Sequence, residues 1–240
     1  MATAAVLDDL RVRARAIESV RAAFGRGVAR LGGPFDAALP WGGLPHRALH
    51  EVSGLAATSA AAAFGRRFLG RGGVLIWCRN ARLVGELGEL DDAGFARFGL
   101  EPARVVVVRA EDDAEVVAAF EAALRCRGVA CAVAEVGRLD LAASRRLQRV
   151  VEAGSGAGLI LRPEPDPSPN AALTRWRAEP LPAAAGIFWR LVLWGGRGAA
   201  PGVWAVRWDE PTLSFAPAIP AADAALGEGR AVSAAGTAAG

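Results

Sequence analysis

The sequence predicts an α/β fold in which a mostly parallel β-sheet is flanked by helices and carries an antiparallel edge near the C-terminus. Short apolar segments alternate with helical segments of about 10–15 residues, which is typical of a parallel sheet with helices on its faces. The segments "GVLIW" and "VVVV" are continuously apolar, as strands buried on both faces are. After residue 162, strand-like segments follow one another without helices, which favours an antiparallel extension of the sheet.

The parallel part is predicted to contain five strands and four helices. The strands cover Ala48–Val52, Val74–Cys78, Val105–Arg109, Val129–Glu135 and Gly158–Leu161. The helices cover about residues 58–69, 82–98, 113–127 and 140–153, and the second is interrupted by Gly85, Gly88 and Gly94. The last two helices begin at aspartates and end before glycines. Acid at the start and glycine beyond the end are expected boundary signals of a helix.

The rest of the chain completes the predicted organisation. The proline-rich "RPEPDPSPN" predicts an irregular loop, and "LTRWRAEPL", "IFWRLVLW" and "GVWAVRW" predict strands. Residues 1–27 are predicted as an amphipathic N-terminal helix, and residues 28–45 as a linker and a turn that leads into the core. The core itself is predicted over residues 46–215. Residues 216–240 are rich in alanine and glycine and are predicted to be disordered.

The composition indicates one domain with tails, since 240 residues are enough to bury a substantial core. A formal net charge of +3 permits contact with nucleic acid without requiring it. The chain has no lysine, so all 28 basic residues are arginine. The cysteines lack the spacing of metal ligands and are typical of reduced thiols. Neither a signal peptide nor an apolar run of about 20 residues is present, so we expect a cytoplasmic protein without membrane contact.

Residues 43–64, "GLPHRALHEVSGLAATSAAAAF", have the order of a phosphate-binding unit: a β-prone segment, a glycine turn and a helix. Together with "LTRWRAEPL" and the strands around "WGGRGAAP", this order resembles the RecA core over about residues 30–210. More narrowly, "FWRLVLW" and "GVWAVRW" with "LTRWR" upstream resemble the ImuA family. That family comprises RecA-like accessory proteins of bacterial mutagenic translesion synthesis, sometimes labelled SulA-like. The resemblance implies a RecA-like core over residues 46–215.

The nucleotide-binding positions of the RecA pattern are replaced in this chain. With Gly54 aligned to the first P-loop glycine, Ser59 stands at the second glycine, Ala60 at the lysine and Ala61 at the magnesium-binding hydroxyl. A P-loop lysine supplies positive charge at the β- and γ-phosphates, and the hydroxyl holds the metal. Alanine does neither, so the resemblance implies a degenerate P-loop.

The remaining catalytic positions depart from the pattern as well. Arg79 follows the strand "VLIWC" where a catalytic glutamate is expected, and Glu135 stands at the Walker-B-like position. Arg197 matches one of two lysines that, in RecA, reach a neighbouring subunit's nucleotide. The combined loss of lysine, hydroxyl and glutamate implies a site without catalytic residues, nucleotide cofactor or metal.

Arg197 is also a candidate for contact with DNA or a protein partner, and two further groups of residues are candidates for the same contacts. Arg145, Arg146 and Arg149 share the outward face of one predicted helix, for which a solvated face is the alternative. Arg175, Trp176 and Arg177 alternate on a predicted strand. An exposed tryptophan beside arginine can stack on unpaired bases, and core packing is the alternative for this strand.

The resemblance implies a non-catalytic RecA-like adaptor in SOS-induced, error-prone translesion DNA synthesis. Its implied partners are ImuB, a polymerase-like protein without polymerase activity, and an error-prone DNA polymerase III α-subunit. RecA and single-stranded DNA are further candidates, and the N-terminal helix is a candidate for self-association. Two alternatives stay open: a SulA-like regulator of cell division and a divergent RecA-type ATPase that still hydrolyses nucleotide.

Overall fold

The structure, a computed structural model, describes residues 27–70, 72–197 and 199–218. The N-terminal helix predicted over residues 1–27 lies outside the described residues except for its last position. The predicted tail, residues 216–240, also lies outside them except for its first three residues. Of these, Ala216 and Pro217 belong to the last strand of the sheet, so the expectation of disorder is wrong for them. Among the described helices, none combines the length and the apolar character that crossing a membrane requires.

The described residues form a two-stranded ribbon, a nine-stranded sheet and six α-helices. The strands are β1 Val28–Ala29, β2 Leu44–Pro45, β3 Leu49–Ser53, β4 Val74–Asn80, β5 Val105–Ala110, β6 Val129–Glu135, β7 Ala157–Arg162, β8 Thr174–Pro180, β9 Ile187–Gly196, β10 Gly202–Asp209 and β11 Ser214–Pro217. The helices are α1 Phe35–Ala38, α2 Ala57–Leu69, α3 Val84–Leu87, α4 Asp92–Arg97, α5 Asp113–Arg125 and α6 Leu141–Ala153.

The large sheet has the order β11-β10-β9-β8-β3-β7-β6-β4-β5. Strands β3 to β8 pair in parallel, whereas β9, β10 and β11 continue the sheet antiparallel from β8. Strand β8, expected in the antiparallel extension, is thus a sixth parallel strand, because it pairs with β3. Helix α2 packs on one face, and α5 and α6 pack on the other. The predicted fold class, a mostly parallel sheet flanked by helices with an antiparallel edge, is therefore confirmed.

The boundary signals place the long helices close to their predicted limits. Asp112 accepts a hydrogen bond from the Glu115 amide at 3.0 Å, and Asp140 accepts one from Ala143 at 2.6 Å. These side chains cap α5 and α6 by accepting from amides that have no partner within the helix. The helix predicted over residues 82–98 is instead two short helices, α3 and α4. The chain turns between them at Gly88, which has a φ of 79°.

Strand β5 contradicts the expectation that "VVVV" is buried on both faces. It lies at the edge of the sheet and pairs only with β4 among the described strands. Val106 and Val107 are 47% and 37% exposed. An apolar run looks the same in the sequence whether the strand is central or at the edge of the sheet. The strand order therefore decides how much of its surface is covered by neighbouring elements.

Residues 28–45, expected as a linker, are part of the folded core instead. Strand β1 pairs with β2, and α1 places Phe35 inside an aromatic cluster. The Phe35 ring lies 5.1 Å from that of Phe215 and 5.9 Å from that of Trp176 in edge-to-face contacts. Such contacts add to the stabilisation from burial, so this segment packs where a linker would be exposed.

A chain of hydrogen bonds fixes the central strand β3 from within the core. The Trp176 indole donates to the Thr174 hydroxyl at 2.9 Å, and that hydroxyl lies 2.8 Å from His50 Nδ1. His50 Nε2 lies 2.9 Å from the carbonyl of Pro45, which can only accept. Nε2 therefore carries the proton and Nδ1 accepts from Thr174. Burial lowers the pKa of His50 to about 4.

We predict that the protein loses stability as the pH falls from about 6.5 to about 4. The unfolded imidazole titrates near pH 6.5 and the folded one near 4, so below 6.5 the unfolded state binds the extra proton. The full shift corresponds to about 3 kcal/mol. Urea unfolding at a series of pH values measures it.

The variant His50→Gln should show a flatter stability profile in this pH range, whereas His46→Gln should retain most of the slope. Burial also lowers the pKa of His46, which is more accessible than His50. Equal slopes for the wild type and His50→Gln would contradict the assignment.

Candidate functional site

The corner between β3 and α2 is the part of the fold that resembles a phosphate-binding unit. Only three residues separate the end of β3 at Ser53 from the start of helix α2 at Ala57. Gly54 has a φ of 101°, and a Cβ there would lie 2.6 Å from the Ala178 carbonyl oxygen. The Ala56 amide donates to that same oxygen at 3.0 Å. The glycine therefore lets the turn pack closely on β8, and the turn is too short to wrap around a phosphate chain.

Ser59, Ala60 and Ala61, which the RecA pattern aligns with the P-loop, belong to the first turns of α2. Ser59 donates to the Ala56 carbonyl at 3.0 Å and accepts from the Trp189 indole at 3.1 Å. Ala60 and Ala61 are fully buried in the hydrophobic core. A lysine at position 60 would place an ammonium group among apolar side chains.

Arg79 and Glu135 form a buried ion pair at the carboxyl ends of the neighbouring strands β4 and β6. Arg79 Nε lies 3.2 Å from one carboxylate oxygen of Glu135, and the Trp77 indole donates to the other oxygen at 2.7 Å. Both side chains of the ion pair are fully inaccessible to solvent. Burial raises the pKa of Glu135, and the charge of Arg79 opposes that rise. The Walker-B-like carboxylate is thus occupied by donors of the protein itself.

Arg79 also holds the chain segment that covers this corner. Its guanidinium donates to the Gly88 carbonyl at 2.6 Å and to the Glu89 carboxylate at 3.1 Å. Thr58, in the first turn of α2, donates to the Leu87 carbonyl at 2.9 Å. The end of α3 and the turn after it are therefore tied over the start of α2.

A cavity of about 240 Å³ remains under this segment, which is smaller than most pockets for small molecules. Its charged lining residues are Glu89 and Asp91, and no arginine lines it. A triphosphate would meet negative charge there. The full lining comprises Leu55, Thr58, Ser59, Ala62, Trp77, Glu89, Leu90, Asp91, Gly94, Phe95 and Phe98.

The strand candidates Arg175 and Trp176 lie inside the protein, so of the two alternatives for Trp176 the structure shows core packing and not an exposed stacking side chain. Trp176 is fully buried and packs against Phe64 at 5.5 Å between ring centroids. Arg177 is exposed and pairs with Glu179 at 2.6 Å. Period-two alternation sends Arg175 and Arg177 to one face of the sheet and Trp176 to the other, which α2 covers.

Arg175 serves a second buried charge network. Its guanidinium lies 2.9 Å from the fully buried carboxylate of Glu51 on β3 and 4.1 Å from the centre of the Trp194 ring. It also donates to the carbonyls of Asp166 and Ser168 in the loop between β7 and β8. The sequence offered no signal for this partnership, because Glu51 and Arg175 are far apart in the chain and meet only through the pairing of β3 with β8.

Among the helix candidates, Arg146 has an ion-pair partner, whereas Arg145 and Arg149 have none among the described residues. All three are exposed on α6, and Arg146 lies 3.0 Å from the carboxylate of Glu121 on α5. Arg145 and Arg149 line a surface depression of about 550 Å³ together with Arg197 from the connection between β9 and β10. The structure therefore brings together three of the arginines that the sequence named, from two separate segments.

These features define an α/β domain whose strand–turn–helix corner is closed by its own side chains and which carries an arginine-lined depression on its surface. No protein-family model matches the chain. Protein ImuA of Caulobacter vibrioides strain NA1000 is 34% identical over 202 residues, which cover 73% of this chain and 80% of the relative. Protein ImuA of strain ATCC 19089 has the same identity and coverage. The chain belongs to the ImuA family.

We predict that breaking the ion pair at the closed corner strongly destabilises the fold. The variant Arg79→Leu leaves Glu135 buried without its cation, which should lower the free energy of unfolding by about 3–5 kcal/mol. The double variant Arg79→Leu/Glu135→Leu should recover much of this loss, since it leaves no uncompensated charge.

The exposed pair Arg177–Glu179 provides the matched control. Arg177→Leu should cost less than about 1 kcal/mol, because water screens an exposed pair. Guanidinium unfolding of all variants makes the comparison. A cost for Arg79→Leu similar to that of Arg177→Leu would contradict a structural role for the pair.

Proposed function

We propose that this chain is a non-catalytic RecA-like adaptor in SOS-induced, error-prone translesion DNA synthesis. It acts by binding and positioning ImuB and an error-prone DNA polymerase III α-subunit, with no bond made or broken. Membership of the ImuA family supports involvement in the mutagenic response to DNA damage. The partners and the mechanism are those that the resemblance implies.

The closed corner is the observation that carries the non-catalytic part of the proposal. A RecA-type ATPase needs a lysine at the phosphates, a hydroxyl on the metal and a carboxylate that polarises water. Here the first two positions are the buried Ala60 and Ala61, and the third is Arg79, whose guanidinium is bound to Glu135 and Glu89. Each position thus lacks the group that would bind nucleotide and instead makes contacts within the protein.

The contacts of the covering segment support a position that is set by the protein's own side chains. In a nucleotide-driven protein, contacts with the γ-phosphate order the switch segments, and these contacts are lost on hydrolysis. In this chain, contacts from Arg79 and Thr58 hold the segment around Gly88 without a ligand. The proposed adaptor therefore presents its surfaces to its partners without a nucleotide cycle.

We predict that the isolated protein neither binds Mg-ATP with micromolar affinity nor hydrolyses it. Calorimetric titration and a phosphate-release assay measure the two properties. The variant Ala60→Lys should restore neither activity and should lower stability, because it buries an ammonium group without a partner. Micromolar binding, or turnover abolished by Glu135→Ala, would favour the ATPase alternative.

We predict that the full chain co-purifies with co-expressed ImuB. A version lacking residues 1–25 tests whether the predicted N-terminal helix provides the contact or self-association. Loss of capture by a folded truncation supports docking through that segment, and retained capture places the contact on the described core. Failure of the full chain to capture ImuB would contradict the proposed function.

A further inference from the structure

The surface depression on α6 has a lining with one sign of charge. Its eight lining residues include three arginines and no aspartate or glutamate, so it carries three positive charges on a chain whose formal net charge is +3. Within the described residues, Arg145, Arg149 and Arg197 form neither ion pairs nor side-chain hydrogen bonds. We call this surface the arginine depression, defined by these three residues. The other lining residues are Leu141, Gln148, Pro169, Asn170 and Ala171.

The convergence of these arginines is unfavourable in the absence of a ligand. Arg145 and Arg149 are four residues apart on α6, where like charges repel across one turn of the helix. Neighbouring arginines on the same face of the protein are neutralised instead: Arg146 and Arg125 both bind the carboxylate of Glu121. Within the described residues, Arg145, Arg149 and Arg197 thus meet in one concave part of the surface without an acidic neighbour in its lining.

The walls of the depression are held in place by buried polar contacts. The Ser144 hydroxyl of α6 accepts from the Ala171 amide at 3.1 Å, which ties the loop between β7 and β8 to the helix. Asn170 donates to the buried carboxylate of Glu51 at 2.6 Å. Gln148 accepts from the Leu49 amide of β3 at 3.1 Å. These side chains are committed to structure, so the arginines are the groups available to a ligand.

We propose that the arginine depression binds the phosphate backbone of single-stranded nucleic acid. Guanidinium groups donate in a planar fork that matches phosphate oxygens. The depression has the volume of an ordinary ligand pocket. A flexible single strand can bend its phosphates into such a concave surface, which a stiff duplex does less easily. No aromatic side chain lines it, so bases do not stack there and binding is independent of sequence. The site adds a direct nucleic-acid contact to the proposed adaptor function.

The test measures fluorescence anisotropy of labelled oligo(dT) and oligo(dA) of equal length with the full chain over a salt series. The triple variant Arg145→Gln/Arg149→Gln/Arg197→Gln should bind at least about tenfold more weakly at low salt. The slope of log affinity against log salt should fall by about 2, since each single-strand phosphate contact contributes about 0.7. Both oligonucleotides should respond equally.

A second triple variant, Arg82→Gln/Arg127→Gln/Arg190→Gln, removes the same charge from exposed arginines elsewhere on the described surface. It should keep nearly wild-type affinity, and circular dichroism should show both triple variants folded. Equal loss in the two variants, or no binding by the wild type, would overturn the proposal.

Competition distinguishes the source of the phosphate and the class of ligand. Unlabelled oligonucleotide should displace the probe, whereas inorganic phosphate or a mononucleotide at the same phosphate concentration should not. Displacement of the probe by free phosphate would assign the depression to a small anion and overturn the proposal. Tighter binding of duplex than of single strand would also overturn it. So would poly-glutamate that displaces the probe as well as the unlabelled oligonucleotide does. Capture of ImuB by the depression variant, measured in parallel, tests the adaptor function separately.

Discussion

The buried carboxylate of Glu135 sets the arrangement of the whole corner of the domain. An isolated carboxylate without water is costly, so it must take a proton or be matched by a cation and hydrogen-bond donors. Trp77 and Arg79 on the neighbouring strand supply those donors at 2.7 and 3.2 Å. Because the same guanidinium binds Gly88 and Glu89, neutralising one carboxylate also determines the path of the segment that covers α2.

A second buried carboxylate organises the opposite part of the structure by the same physics. Glu51 on the central strand β3 accepts from Arg175 and Asn170, and Arg162 lies 3.8 Å away. Arg162 in turn binds the carboxylate of Asp166, which lies within the proline-rich loop, at 2.5 Å. The loop that forms one wall of the arginine depression is therefore held from below by the buried side chains of Glu51, Arg162 and Arg175.

These two networks separate structural arginines from those that are available to ligands. Arg79 and Arg175 are consumed by buried carboxylates, and Arg146 by Glu121 on the adjacent helix. Arg145 and Arg197 stay exposed without such a partner in the described residues. Because the chain has no lysine, the residue type does not distinguish an arginine that supports the fold from one that is available to a ligand. Only the positions of the carboxylates in the folded protein distinguish the two.

The sequence by itself determined the parts of the fold that depend on local chemistry. Aspartate caps located α5 and α6, and apolar runs located five of the six parallel strands. The missing lysine and hydroxyl marked the departure of the corner between β3 and α2 from the P-loop pattern. Those signals act over a few residues and therefore survive without a structure. The exposure of β5 at the sheet edge, the packing of residues 28–45, the burial of Trp176 and the pairing of Arg79 with Glu135 were decided by the tertiary structure. Each depends on which distant strand or helix lies alongside, and strand order is not encoded in local periodicity.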